Sequence, residues 1–267
     1  MHSRVWVIGL AVLLGPPTGS AEAGAGGSTL QPGTSAAYDA YVAAAEAAFL
    51  SRARAGDTVA PAATGAGPGT EGRIHKVAEG LVHHWRGNIF VPGVSLERVI
   101  ATAQGYDAYA RIYGAVAASR LLDRDGDRFR VLTRVRGRAG RVSVMLEVRS
   151  MVRYERHATS AFSVGASEDI REVVGAGQPH ERLLPSGRDS GYLWRAHTFT
   201  RFVQQPGGVV VQLETIGLSR RFPPMLGWLI EPIARRLGRR SVERTLHEFD
   251  LAIREEPSAA PAPTAPN

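Results

Sequence analysis

The chain has 267 residues, no Cys, and 32 Lys+Arg against 25 Asp+Glu, a formal charge of +7. Without Cys, thiol catalysis, Cys-ligated zinc and iron–sulfur chemistry are excluded, and stability must come from packing rather than disulfides. Every basic residue except Lys76 is Arg, and the arginines alternate along strand patterns or mix with Glu instead of forming one block, which argues for GC-rich codon usage and against a nucleic-acid surface.

Along the chain, Arg4, the apolar run Val5 to Leu14 and Ala21-Glu22-Ala23 form a secretory pattern. It predicts a signal peptide over 1–23, cleaved after Ala23, and an exported product, periplasmic or secreted. The apolar run is about ten residues, short of the roughly twenty needed to span a bilayer as a helix. Residues 24–72 have the composition of a flexible leader, with one Ala-rich helix at about 35–55 carrying Tyr38, Val42, Ala45 and Phe49 on one face. A brief edge strand is expected at Asp57 to Ala60. The folded body is expected over 73–255, and a Pro/Ala-rich disordered tail over 256–267.

Within the body, Leu81 to Val91 predicts a strand ended by Pro92-Gly93, and Ser95 opens a short helix bearing Val99, Ile100 and Ala103. A helical stretch over Tyr106 to Val116 comes next, then strands for about a hundred residues. In Arg128 to Arg136, Phe129, Val131, Thr133 and Val135 oppose Arg128, Arg130, Arg134 and Arg136, a half-buried strand with a basic outer face. In Val142 to Tyr154, Val142, Val144, Leu146, Val148, Val152 and Tyr154 share the inward parity. Ala161 to Val173, Tyr192 to Val203 and Val209 to Ser219 follow with the same period, joined by turns such as Asp125-Gly126 and Pro206-Gly207-Gly208. The chain then predicts helix over Met225 to Leu237 and again from Ser241 through Val242, Leu246, Phe249 and Ile253. Such a terminal helix has a large apolar stripe to bury, and the concave face of the sheet is where it can go.

This order of elements resembles the helix-grip fold of the START-like, or SRPBCC, superfamily. The segments carrying the likeness are Gly80 to Gly87 (GLVHHWRG), Val91 to Leu96 (VPGVSL), Gln104 to Asp107 with Tyr113, Asp189 to Arg195 (DSGYLWR), Leu218 to Pro223 (LSRRFP) and Gly227 to Ile230 (GWLI). They resemble an uncharacterised bacterial exported branch. The resemblance implies an α+β fold in which a curved antiparallel sheet wraps around a long C-terminal helix, leaving an apolar cavity for a hydrophobic small molecule or lipid, with no cofactor. On that basis the cavity candidates are Trp85, Tyr106, Tyr113, Val144, Leu146, Trp194, Ala196, Glu214, Trp228, Leu246 and Phe249. Small inward residues such as Ala161, Gly165, Ala196 and Gly217 can leave a pocket or be filled by the helix's own side chains.

Other motifs point to less. His83 and His84 are adjacent on a strand, so they face opposite ways and cannot share a metal ion. Asp123 to Asp127 (DRDGD) has its Gly too early for a calcium loop, and the place of the bidentate Glu is Arg134. No Gly-x-Ser-x-Gly elbow, paired carboxylates or phosphate loop is present. Glu214, Arg195, His197 and Arg201 fall on neighbouring strands, where Glu214 reads as a structural ion pair. Two alternatives to a non-enzymatic binder stay open: a cyclase, dehydratase or hydrolase using His197, Glu214 or Tyr192 in the cavity, or a peripheral module placing Arg235, Arg236, Arg239, Arg240 and Arg244 on an anionic membrane.

Overall fold

The computed structural model describes residues 28–56, 69–139, 142–221 and 227–255. The signal pattern, the Asp57 to Ala60 strand and the terminal tail lie outside them. The described elements are β1 (Ser28–Thr29), α1 (Pro32–Arg54), β2 (Gly69–Val77), β3 (Gly80–Pro92), α2 (Leu96–Gln104), a 3-10 turn (Tyr106–Ala108), α3 (Tyr109–Ile112) and β4 (Val116–Asp125). There follow β5 (Arg128–Ala139), β6 (Val142–Arg156), β7 (Ser160–Val174), β8 (Arg182–Leu183), β9 (Arg188–Asp189), β10 (Arg195–Gln205), β11 (Gly208–Arg220) and α4 (Gly227–Arg254).

The fold is α+β, with a large open antiparallel sheet ordered β2-β3-β11-β10-β7-β6-β5-β4, β8 appended to β7, and a separate two-stranded pairing of β1 with β9. Alternation gives each strand two faces, and the strands at the centre of the sheet are covered on both. The inner face packs against α4, whose Ala234, Val242, Leu246, Phe249 and Ile253 are buried at helical spacing, and against α2 and α3. This is the helix-grip arrangement. Glycines set how closely α4 approaches: a Cβ on Gly87 would lie 2.8 Å from Val242, and one on Gly238 would lie 2.3 Å from the Trp85 ring. Ser95 caps α2 by accepting the Arg98 amide at 3.3 Å.

The parity read for Arg128 to Arg136 and for Val142 to Tyr154 is the parity observed. Phe129, Val131, Val135, Val144, Leu146, Val148 and Tyr154 are buried in the inner core, while Arg130 pairs with Glu168 and Arg134 with both Glu147 and Glu181. A register shift between Arg149 and Ser150 bends the long β6–β7 pair.

Four features differ from the sequence reading. The helix expected in a flexible leader is an integral layer: α1 lies on the outer face and buries Tyr38, Val42, Phe49 and Ala53 against Val82, Phe162, Val164, Phe199, Ile216 and Leu218. Phe49 stacks on Phe199 at 5.1 Å and meets Phe162 edge-on at 5.8 Å. Each such side chain contributes on the order of 1.5–3 kcal/mol. Second, β2 pairs with β3 from Gly69 onward, where Gly- and Thr-rich composition hid it. Third, the stretch expected to stay helical to Val116 ends at Ile112, and Val116 opens β4. Finally, the two terminal helical segments are one helix that runs through Pro232.

Candidate functional site

Between the sheet and the helices α2, α3 and α4 lies a cavity in which the space open to the centre of a water-sized molecule is about 170 Å³. Val131, Thr133 and Val135 of β5 and Val148, Ser150, Val152 and Tyr154 of β6 form one wall. Ser163, Gly165, Ala166 and Ser167 of β7 and Ala196, Thr198, Thr200 and Phe202 of β10 form the next. Tyr106, Tyr109 and Tyr113 close one end, and Thr245, Leu246 and Phe249 of α4 form the lid. Gly165 and Ala196 on adjoining strands leave the space that larger residues would fill.

The lining carries no Asp, Glu, His, Lys or Arg among the described residues. Its polarity comes from hydroxyls and four tyrosines. Tyr154 donates to the Ala103 carbonyl at 3.3 Å, and the Tyr106 and Tyr154 hydroxyls meet at 3.1 Å. The Ser167 hydroxyl accepts the Ala196 amide at 2.9 Å. Burial pushes the Tyr154 hydroxyl up to about 12, and burial likewise raises Tyr106, Tyr109 and Tyr113. All four stay protonated near neutral pH, so they serve as hydrogen-bond donors or acceptors and not as bases.

Of the residues predicted from sequence, Tyr106, Tyr113, Ala196, Leu246 and Phe249 line this cavity. Trp85, Val144 and Leu146 are on the inner face but packed away from it: Trp85 is wedged between Gly72 and Gly238. Trp194 and Glu214 are on the opposite face. Trp194 joins the α1 cluster, with its Nε1 donating to Asp189 at 3.1 Å. Glu214 has the outward parity of Ile216 and Leu218, and it binds His84 at 2.8 Å and Arg52 at 3.3 Å. The Trp228 side chain lies outside the described residues.

The residues named for acid–base chemistry are not in the cavity. Tyr38 of α1 contacts His197 at 3.0 Å and donates to the Ile216 carbonyl at 2.9 Å. Arg195 reaches Asp39 and Ser35 on α1, and Tyr192 sits under Arg220. Arg195, His197 and Glu214 thus fasten α1 to the sheet. His83 faces inward and buried, with Nε2 2.8 Å from the Ser219 hydroxyl, while His84 faces outward, the split expected of neighbours on a strand. The reading missed Tyr109, Tyr154, Thr198 and Thr200. Tyr154 already shared the inward parity of Leu146, and extending the parity of Ala196 would have found Thr198 and Thr200.

No group of three or more potential metal ligands occurs among the described residues, and none of their helices is long and apolar enough to cross a membrane. No protein-family model and no curated protein matches the chain. Solved structures do. A STAR-related lipid transfer protein fragment from Xanthomonas axonopodis is 18% identical, over 69% of this chain and 99% of that one, with a TM-score of 0.47. Human STARD10 is 8% identical, over 67% and 72%, with a TM-score of 0.42. The Zhui aromatase/cyclase from Streptomyces sp. R1128 is 15% identical, over 64% and 91%, with a TM-score of 0.39. The chain is similar to these in fold, at identities and TM-scores that bring none of their chemistry with them.

Proposed function

We propose that the protein binds a neutral, largely apolar small molecule or lipid moiety in the inner cavity without transforming it. The observation that carries this reading is an internal space lined by Val, Leu, Phe, Tyr, Ser and Thr, with no ionisable group poised to act at neutral pH. A charged ligand would lose its hydration there and find no counter-charge. At about 170 Å³, the space is close to the engineered cavities of about 150 Å³ that take up benzene. A compact ring fits as the structure stands, and a longer chain requires α4 to move. The hydroxyls offer partners to one or two ligand oxygens. Native mass spectrometry and extraction of the purified protein test this: a co-purifying neutral apolar compound, or saturable uptake of an apolar fluorophore near one per chain, supports it. An exported protein that takes up neither overturns it.

A second reading, contact with an anionic membrane, is favoured by one feature of α4. Ile233 and Leu251 are exposed at 45% and 48% and share a helical stripe with exposed Arg236 and Arg240, an arrangement suited to lying on a lipid surface. Salt-sensitive binding to anionic vesicles that is lost in an Arg236→Gln/Arg240→Gln variant supports it. We also place the protein outside the cytoplasm on the strength of the N-terminal pattern; exported protein should begin at or near Gly24, and an intact Met1 would overturn that.

A further inference from the structure

A separate space of about 570 Å³ lies on the outer face of the sheet, under α1, within the size range of small-molecule sites. Its floor is the ion-paired face of β2, β3 and β11. Buried Glu214, with its side chain 4% exposed, accepts hydrogen bonds from His84 Nε2 at 2.8 Å and from Arg52 at 3.3 Å. On the far side of the imidazole, the Tyr41 hydroxyl lies 2.8 Å from Nδ1. Arg86 holds Glu71, with Nε at 2.9 Å. A third guanidinium, Arg73, borders the same space and forms no ion pair among the described residues.

The charges do not cancel. Both carboxylates are already matched by a guanidinium, which leaves Arg73, among the described residues, as the unmatched cation bordering the space. Each guanidinium has five N–H donors in a planar fork, so donors outnumber acceptors in the lining, and the buried Glu214 carboxylate has both oxygens engaged, which suits an oxyanion. Had Glu214, His84 and Arg52 served only to fasten α1, large side chains could fill the gap above them. Ala44, Ala45 and Ala48 of α1 stand there instead and leave an apolar wall beside the charged floor.

We propose that this outer pocket binds a small organic anion, its carboxylate or phosphate head on Arg73 and the floor below and its apolar body against the α1 alanines. Isothermal titration of the whole protein with phenyl phosphate, benzoate and the neutral control phenol tests it. Phenyl phosphate or benzoate should bind one per chain with Kd below about 1 mM, phenol should not saturate, and the preferred anion identifies the head group. Arg73→Gln, on an exposed side chain, should weaken binding about tenfold or more, and Ala48→Phe should block it by filling the wall. Uptake of an apolar fluorophore by the inner cavity should be unchanged in both variants, which separates this site from the binding function proposed above. The proposal is overturned if neither anion saturates, if phenol binds as tightly as the anions, or if both variants bind like the wild type.

Discussion

Ala196 of β10 lines the inner cavity beside Thr198 and opposite the α4 lid, and replacing it by Phe places a ring where a ligand should sit. A cavity of about 150 Å³ takes up one benzene, against the roughly 170 Å³ present, so the new ring should take up most of the space. The apolar burial denied to a ligand is then on the order of 1.5–3 kcal/mol, about a 10–150-fold loss of affinity. Filling a void is neutral or stabilising by about 0.5–2 kcal/mol, whereas forcing a ring into a packed core costs about 1–3 kcal/mol. Two measurements on one variant therefore decide the matter: fluorophore titration for binding and urea denaturation for stability. Lost binding with unchanged or raised stability is the expected pair. If Ala196→Phe destabilises by several kcal/mol, or if it binds the fluorophore as well as the wild type does, the cavity reasoning is wrong.

Phe49→Ala should cost about 3–5 kcal/mol in chemical denaturation, because Phe49 is fully buried between α1 and the sheet; a change under about 0.5 kcal/mol would make α1 a loose appendage. Gly238→Ala gains about 1 kcal/mol of helix propensity but sets a Cβ 2.3 Å from Trp85, so net destabilisation with altered tryptophan emission is expected. A more stable variant would show that α4 does not press on that ring. Burial holds the His83 imidazole down at about 3. The folded chain thus binds fewer protons than the unfolded one between that value and an ordinary 6.5, and stability falls as pH drops through this window by up to about 1.4 kcal/mol per unit. Asp189, lifted by burial to about 6, has the opposite sign between 6 and its ordinary value, so wild type is compared with His83→Gln; equal slopes below pH 6 would mean that His83 is not buried and neutral.

Alternation along β5 and β6 was enough to tell inward from outward residues, since neighbours on a strand must face opposite ways and only one face of this stretch carries apolar side chains. The same rule separated His83 from His84. It also placed Glu214 with Ile216 and Leu218, yet the outward side of β11 is apolar too, and local pattern cannot say which of two apolar faces is the inner one. That ambiguity put Glu214 and Trp194 in the cavity when both belong under α1.

The element order and the docking of a terminal apolar stripe on the sheet were legible in the sequence from periodicity, while the helix-grip arrangement and the cavity-facing Ala196, Leu246 and Phe249 came from the resemblance that this order carries. The role of α1 was not. Its Ala-rich surface gives a weak stripe, and only the sheet packed against Tyr38, Val42 and Phe49 makes that stripe part of the core. The outer pocket was likewise settled by tertiary structure alone, since Tyr41, Arg73, His84 and Glu214 come from four elements spread over more than half the chain and meet through strand pairing and the docking of one helix.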